Sequence, residues 1–148
     1  MEKFENKDFL KLLKPIHKNH TANVYKKLMK KIYTLKQSLK KRSKEHNVEC
    51  SITSNEIKIM FSKYYGKKCK YCNKKVLTIK TIACDHIMPL VKNGTSTKDN
   101  LQLICKTCNT RKGPLDEKDF LLFLRWIRKQ NNELKGYVLR KMSKGGKY

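Results

Sequence analysis

Acidic residues are scarce in this chain of 148 residues. Lysine and arginine together number 36, whereas aspartate and glutamate number 12, which leaves a formal net charge of +24. An excess of this size favours a polyanionic partner such as DNA, RNA, a ribosome or an anionic membrane surface. The charge does not choose among these partners, so it indicates a partner class and not a function.

Long apolar runs are also absent. The longest uninterrupted run covers residues 120–124, which is far shorter than a membrane-spanning helix requires. The first ten residues, MEKFENKDFL, contain no apolar core of the kind found in secretory signals. We therefore expect a protein of the cytoplasm, nucleoid or host-cell interior that is neither secreted nor in a membrane. In such a reducing compartment, paired cysteines more often bind metal than each other.

The N-terminal third predicts helices. An apolar cluster before Pro15 indicates a brief helix that ends near Lys14. Residues 21–45 carry apolar side chains at intervals of three and four, which predicts one long amphipathic helix. Its polar face is basic and lacks acidic residues between positions 21 and 44. A helix lying against phosphates explains this composition, although solvated, calmodulin-target and membrane-surface helices share it.

The rest of the chain alternates between helical and strand patterns. Thr53 and Glu56 have the spacing of a capping box and predict a helix that ends near Gly66. Asp116 predicts the cap of an amphipathic helix over residues 116–130. We predict strands at 76–80 and 82–86, a strand or turn at 101–104, a short helix at 107–112, and a basic tail at 131–148 whose last residues are disordered.

Two Cys-x-x-Cys pairs bracket the middle of the chain, Cys69 with Cys72 and Cys105 with Cys108. Each pair can form a tight knuckle that presents two thiolates, and two knuckles complete a tetrahedral four-sulfur site. Redox pairs and iron–sulfur clusters use similar spacings, but the surrounding lysines and arginines favour a knuckle that faces nucleic acid. We therefore predict a structural Zn²⁺ whose removal unfolds the core.

Polar residues whose side chains can bind metal or transfer protons lie between these pairs and just after them. The segments run Cys69-x-Tyr71-Cys72, then Asp85-His86-Ile87-x-Pro89-Leu90, then Asn100-Leu101-Gln102 and Cys105-x-x-Cys108-Asn109. In this order they resemble the HNH endonuclease family, and more narrowly its zinc-stapled branch in phage and mobile-element nucleases. The resemblance covers about residues 53–127 and implies an α+β fold. Its core is a small ββα-metal unit stapled by the four-cysteine zinc site, with flanking helices.

The resemblance also implies roles for individual residues. His86 is the expected general base, because a neutral imidazole can take a proton from water near neutral pH. Asp85 and Asn109 are the expected ligands of a catalytic Mg²⁺ or Mn²⁺, since both offer oxygen. Asn100 is expected to brace the loop and Lys112 to contact the phosphate. Many members have histidine where this chain has Asn109, which makes softer ions a poorer fit.

Neighbouring residues on a strand face opposite ways, so Asp85 and His86 can converge only if the strand bends after them. Pro89 makes such a bend plausible. The joint spacing of these two residues with Asn100 and Asn109 is what distinguishes a nuclease from other basic zinc proteins.

We therefore predict a metal-dependent DNA endonuclease, of phage or mobile-element homing type, that nicks or cuts double-stranded DNA. Residues 1–50 form a basic helical DNA-binding extension, 51–130 the nuclease domain and 131–148 a basic tail. A monomer or weak dimer is expected. The alternatives are a non-catalytic zinc-stapled nucleic-acid-binding module and an RNA-binding or ribosome-associated protein, which explain the charge but leave the polar residues without a role.

Overall fold

The computed structural model describes residues 5–145. This part of the chain contains six helices and one two-stranded antiparallel sheet, which confirms the predicted α+β class. The helices are α1 (Asn6–Leu13), α2 (Thr21–Glu45), α3 (Ser54–Tyr64), α4 (Lys106–Lys112), α5 (Glu117–Arg128) and α6 (Asn132–Met142), and the strands are β1 (Ile82–His86) and β2 (Leu101–Cys105). None of the helices in residues 5–145 combines the length and apolar character needed to cross a bilayer.

Strands β1 and β2 lead directly into α4. In their antiparallel register Asp85 lies opposite Gln102, and His86 lies opposite Leu101. Cys105 ends β2 and also caps α4, because its sulfur accepts the backbone amide of Cys108 at 3.4 Å. Directly opposed residues share a face of the sheet. Asp85 and Gln102 therefore project to one side, and His86 projects to the other.

Helix α2 forms over the predicted range and belongs to the same core as the sheet. Its apolar stripe buries Leu28, Ile32 and Leu39, each at most 3% exposed, in one cluster with α3 and both strands. Burial of each such side chain contributes about 1.5–3 kcal/mol. The basic helix is therefore fixed against the ββα unit by apolar packing. The division of the chain at residues 50 and 130 stays a prediction.

Two helices begin at the caps that the sequence predicts. Thr53 Oγ1 accepts the amide of Glu56 at 3.2 Å, and Glu56 Oε2 accepts the amide of Thr53 at 2.8 Å, which completes the capping box of α3. Asp116 Oδ1 accepts the amide of Asp119 at 2.9 Å at the start of α5. The Phe120 ring of α5 then packs edge-on against Tyr71, with centroids 5.0 Å apart.

One expectation about secondary structure is wrong. Residues 76–80 do not form a strand, because the Thr81 hydroxyl donates to the carbonyl of Val76 and accepts the amide of Thr78 at 2.8 Å, which closes a turn. The segment expected to be a tail contains α6, which is capped by Asn131 and buries no side chain. After α6, residues 143–145 form a turn, and the disorder expected at the end of the tail lies mainly outside the described residues.

Candidate metal centre and catalytic cavity

The four paired cysteines converge on one point. The sulfurs of Cys69, Cys72, Cys105 and Cys108 all lie within 4.8 Å of one another. Cys72 Sγ and Cys105 Sγ are 3.9 Å apart. Zn–S bonds of ~2.3 Å place the sulfurs of a tetrahedral site about 3.8 Å apart. The cluster therefore has the donor type, number and spacing that suit a structural Zn²⁺.

Local backbone geometry presents these sulfurs. The first pair lies in a hairpin closed by hydrogen bonds from the Cys69 amide to Lys75 O and from the Leu77 amide to Lys67 O, both 2.8 Å. Asn73 turns the chain with a positive φ of 51°. The second pair lies at the junction of β2 and α4, where the Cys105 amide donates to Cys69 Sγ at 3.4 Å.

The sulfur cluster favours negative charge at one of its members. The Cys108 thiol and nearby backbone amides lower the pKa of Cys69 to about 4. The same contact raises the pKa of Cys108, because its proton is held by the Cys69 thiolate and because Cys108 is buried. Four neighbouring thiolates repel one another unless a cation binds them, and a divalent ion supplies the compensating charge.

A cavity of about 360 Å³ lies at the end of β1. It brings together three of the residues predicted from the sequence, Asp85, His86 and Asn109. Its remaining walls come from the loop after β1, the end of α4 and the last turn of α2. The residues that line these walls are Arg42, His46, Cys84, Pro89, Leu90, Val91, Gly113 and Pro114.

Asp85 is a buried carboxylate held by two donors. Gln102 Nε2 donates to Asp85 Oδ2 at 2.7 Å, and Lys112 Nζ donates to Oδ1 at 3.2 Å. Burial raises the pKa of Asp85 above its ordinary value, whereas Gln102 and Lys112 oppose this shift by stabilising the charged form. Each carboxylate oxygen has two acceptor sites, so these contacts leave Asp85 with capacity for a cation.

The support of Asp85 extends to the first cysteine knuckle. Gln102 Nε2 also donates to the Tyr71 hydroxyl at 2.7 Å, and that hydroxyl donates to Glu117 Oε1 at 2.9 Å. Lys70 Nζ donates to both Gln102 Oε1 and Glu117 Oε1, at 2.7 and 2.6 Å. Lys70 and Tyr71 lie between the two cysteines of the first pair. A continuous polar network therefore joins the first cysteine knuckle, through Lys70 and Tyr71, to Asp85.

His86 is buried, and its ring is held from the other side of the sheet. Its Nε2 lies 2.8 Å from Ser96 Oγ, which in turn accepts a hydrogen bond from Ser43 Oγ of α2 at 2.7 Å. Burial lowers the pKa of His86 to about 4, and the nearby charges of Arg42 and Lys112 act in the same direction. The imidazole is therefore neutral at physiological pH.

The other predicted residues have different surroundings. Asn109 is half-buried on α4, and among the described residues its side chain has no hydrogen-bond partner. Lys112 is fully buried, with 0% of its side chain exposed, and Nζ also donates to the His86 carbonyl at 2.7 Å. The ammonium group therefore faces the protein interior, where the expected contact with a phosphate does not fit.

Asn100 ties the loop after β1 to the start of β2. Its Oδ1 accepts the amide of Met88 at 2.8 Å, while Nδ2 donates to Met88 O at 3.0 Å and to Thr95 O at 2.7 Å. Its own carbonyl accepts the amide of Ile87 at 2.9 Å. These contacts fix the segment that follows His86. They are contacts to backbone and not to the cavity.

Four residues of the site have no assigned role in the sequence-based prediction. Gln102 lies in a segment that carries the family resemblance. Its role as the partner of Asp85 becomes visible only when the strands are paired and the two residues lie opposite each other. Ser96 lies in a loop of small polar residues that indicates only a turn. Ser43 and Arg42 lie on α2, where the lysine-rich pattern gives no sign that the helix reaches Ser96 or the cavity.

Comparison with known families identifies the segment that carries this geometry. Residues 69–115 match the sequence model of the HNH endonuclease family, described as HNH endonuclease. A comparison with curated proteins finds no significant relative. The match begins at the first cysteine of the sulfur cluster, includes both strands and α4, and contains Asp85, His86 and Asn109. Residues 69–115 are therefore an HNH endonuclease domain, whose four clustered cysteines are consistent with the zinc-stapled branch of that family.

Proposed function

We propose that this chain is a metal-dependent DNA endonuclease in which His86 is the general base and Asp85 and Asn109 hold a divalent cation. The observation that carries the proposal is the convergence of these three side chains on one cavity within an HNH domain. The non-catalytic alternative gives no reason for a neutral histidine, a buried carboxylate and an amide without a hydrogen-bond partner in residues 5–145 to meet there.

The surroundings of His86 suit proton abstraction. The imidazole is uncharged at physiological pH, so it can accept a proton from water without first losing one. Its Nε2 is engaged by Ser96, which leaves Nδ1 as the nitrogen for a water molecule in the cavity. This role requires the tautomer in which Nε2 carries the hydrogen and donates it to Ser96 Oγ.

The donor set of Asp85 and Asn109 suits Mg²⁺ or Mn²⁺. Both side chains offer oxygen, and the free amide of Asn109 has no competing partner among the described residues. A bound divalent cation supplies charge stabilisation to the oxygen that leaves the phosphorus atom. Asp85 keeps its position for that task through Gln102 and Lys112.

Double-stranded DNA is the proposed substrate, because HNH nucleases act on DNA and the chain carries a net charge of +24. The 1–50 extension and the 131–148 tail extend the DNA footprint beyond the nuclease domain of residues 51–130. One catalytic cavity serves one strand, so a monomer is expected to nick and a transient dimer to cut both strands.

The proposal is tested by nicking of supercoiled plasmid. Zinc-loaded protein is incubated with Mg²⁺, with Mn²⁺ or without added divalent cation, and His86→Ala is compared with wild type. Loss of a general base lowers the rate by about 10²–10⁴-fold. The matched control is His20→Ala, which removes an exposed histidine before α2 and leaves the rate unchanged. Protein that binds DNA but never nicks it is a binding module, and the endonuclease proposal then fails.

The cleavage pattern on long DNA addresses the phage or mobile-element setting. A homing enzyme produces one cut at one place, whereas an enzyme that contacts mainly phosphates cuts at many places, because phosphate contacts carry no base information. The chain has many lysines for such contacts. Mapping of nick positions by sequencing of end-labelled products distinguishes the two outcomes.

A further inference from the structure

The last turn of α2 forms one wall of the catalytic cavity, although α2 lies outside the matched residues 69–115. Arg42 lies in this turn and His46 directly follows the helix, and both line the cavity that also contains Asp85, His86 and Asn109. The adjacent Ser43 is 1% exposed and bonds to Ser96, so this turn is held in place by direct contact with the support of His86.

Arg42 has an unusual environment for an arginine. Its Nε is the one buried side-chain nitrogen or oxygen in residues 5–145 that has no hydrogen-bond partner. No described carboxylate lies within ion-pair distance of its guanidinium group. A buried donor without a partner costs about 1–3 kcal/mol. Its position near the C-terminus of α2 suits the helix dipole, but that effect does not explain a donor turned away from solvent.

A second groove continues from this cavity along α2. It has a volume of about 460 Å³ and is lined by Lys27, Lys30 and Lys31 together with residues of β1. Cys84 lines both the groove and the catalytic cavity, so the two are adjacent. Lys27 and Arg42 are separated by roughly 22 Å along the helix axis at 1.5 Å per residue. That length corresponds to about six steps of B-DNA at 3.4 Å each.

We propose that the groove between α2 and β1 binds the phosphate backbone of the DNA strand that is cut. Arg42 binds a phosphate beside His86, and Lys27 and Lys30 bind phosphates farther along the same strand. Lys31 also lines the groove, but we assign it no phosphate because its ammonium group is already held by a hydrogen bond to Ile79 O at 2.9 Å. The proposal rests on the proposed endonuclease function, and it makes α2 a part of the active site.

The chemistry of the two walls supports this arrangement. Asp85 and Asn109 line the cavity with oxygen donors for a cation, whereas Arg42 provides a fixed positive charge and a planar set of N–H donors. A phosphate held between a cation and a guanidinium group has its oxygens satisfied from both sides.

Two readouts test the proposal separately from the endonuclease function. The first is the affinity for a fluorescein-labelled duplex without added Mg²⁺ or Mn²⁺, measured by anisotropy over a series of salt concentrations. Because log K falls as log salt rises, each lost phosphate contact makes this slope less steep by about 0.9. We expect the steepness of the slope to decrease by about 0.9 for Arg42→Gln and by about 1.8 for the double variant Lys27→Gln/Lys30→Gln.

The matched control is Lys40→Gln, which removes one exposed charge from the same helix, two residues from Arg42 and outside both cavities. Its slope is expected to equal that of wild type. Equal decreases for Lys40→Gln and for each single groove lysine would overturn the proposal, because they would indicate a diffuse basic surface. A tighter complex with RNA of the same sequence than with the DNA duplex would also overturn it.

The second readout is the nicking rate at saturating DNA. Loss of a group that stabilises charge at the reacting phosphate lowers kcat by about 10²–10³-fold. We expect a decrease in kcat of this size for Arg42→Gln and a smaller decrease for Arg42→Lys. A rise in KM at constant kcat contradicts the contact beside His86. If wild type binds but does not nick, the endonuclease proposal fails, and the salt slopes still decide whether the groove binds DNA. Unchanged circular dichroism and melting temperature confirm that each variant is folded.

Discussion

Replacement of Lys112 by methionine separates the role that the structure gives this residue from the role that the sequence predicts. The ammonium group lies 3.1 Å from Asp85 Oδ2 and 2.7 Å from the His86 carbonyl, and none of the side chain is exposed. The variant leaves a buried carboxylate with Gln102 as its remaining donor and a buried carbonyl without a partner. Breaking one side of such a pair costs about 3–5 kcal/mol.

The corresponding change in melting temperature is large enough to measure easily. For a chain of this size the melting temperature falls by about 2–4 °C for each kcal/mol lost from the free energy of unfolding. Lys112→Met is therefore expected to melt roughly 6–20 °C below wild type. Thermal unfolding of zinc-loaded protein, followed by circular dichroism, gives this difference. The measurement is made without added Mg²⁺, since a cation at Asp85 replaces part of the lost charge.

Lys70→Met is the matched control for this loss. Lys70 belongs to the same polar network and contacts Glu117 at 2.6 Å, but its side chain is 46% exposed. Solvent-exposed pairs contribute about 0–1 kcal/mol, so the control is expected to melt within a few degrees of wild type. If Lys112→Met melts with wild type and loses affinity for DNA instead, the buried-pair argument is wrong and the expected phosphate contact is correct.

Four further predictions concern other parts of the site. Gly94→Ala is expected to lower the melting temperature, because its Cβ would lie 1.8 Å from the Met88 carbonyl oxygen. Ser96→Ala removes the contact at His86 Nε2 and is expected to lower kcat about 10–100-fold at unchanged DNA affinity, whereas a purely structural role would change only the melting temperature. Cys105→Ser is expected to reduce bound zinc, measured by atomic emission, from about one per chain and to unfold the core; a folded, active variant would contradict the staple. Because burial lowers the pKa of His86 to about 4, kcat/KM is expected to stay level as the pH falls through 6.5 and to decline only near pH 4, where the imidazole becomes protonated; a midpoint at 6.5 would refute the desolvation argument.

The sequence predicts most of the helices because their signals are local. The stripe of α2 and the caps at Thr53 and Asp116 depend on residues three or four positions apart, and such contacts form in any context where the helix forms. The strand expected at residues 76–80 fails for a related reason. β-Branched side chains favour extended backbone, but the hydroxyl of Thr81 offers this backbone a turn instead.

Helix α6 shows the limit of reasoning from an apolar pattern. Its residues Leu134, Tyr137, Val138 and Met142 have helical spacing, but Gly136 lies among them and disfavours a helix, and none of the side chains is fully buried. Its stability comes from its Asn131 cap and from contacts with α4, including the hydrogen bond from Arg111 Nε to Ser143 Oγ at 2.9 Å. Contacts between distant segments of this kind are invisible in a local window.

The same limit applies to the residues that support the cavity at the end of β1. The spacing of Asp85, His86 and Asn109 resembles a known family pattern, but the residues that hold these side chains do not follow such a pattern. Ser43 and Ser96 are 53 positions apart in sequence, but their Oγ atoms are 2.7 Å apart in the structure. The Gln102 side chain reaches Asp85 only because the strands pair in one particular register.

The position of Asp85 and His86 on one strand explains why the site needs two separate supports. Adjacent strand residues project to opposite faces, so no single neighbour can hold both side chains. Asp85 is held on one face by Gln102 and Lys112, and through Tyr71 by the first cysteine knuckle. His86 is held on the other face by Ser96, which receives its own hydrogen bond from α2. The first support lies within the HNH domain and the adjoining Glu117, whereas the second depends on a helix far outside it. The matched segment therefore contains Asp85, His86 and Asn109, whereas the serine that holds His86 is itself supported from α2.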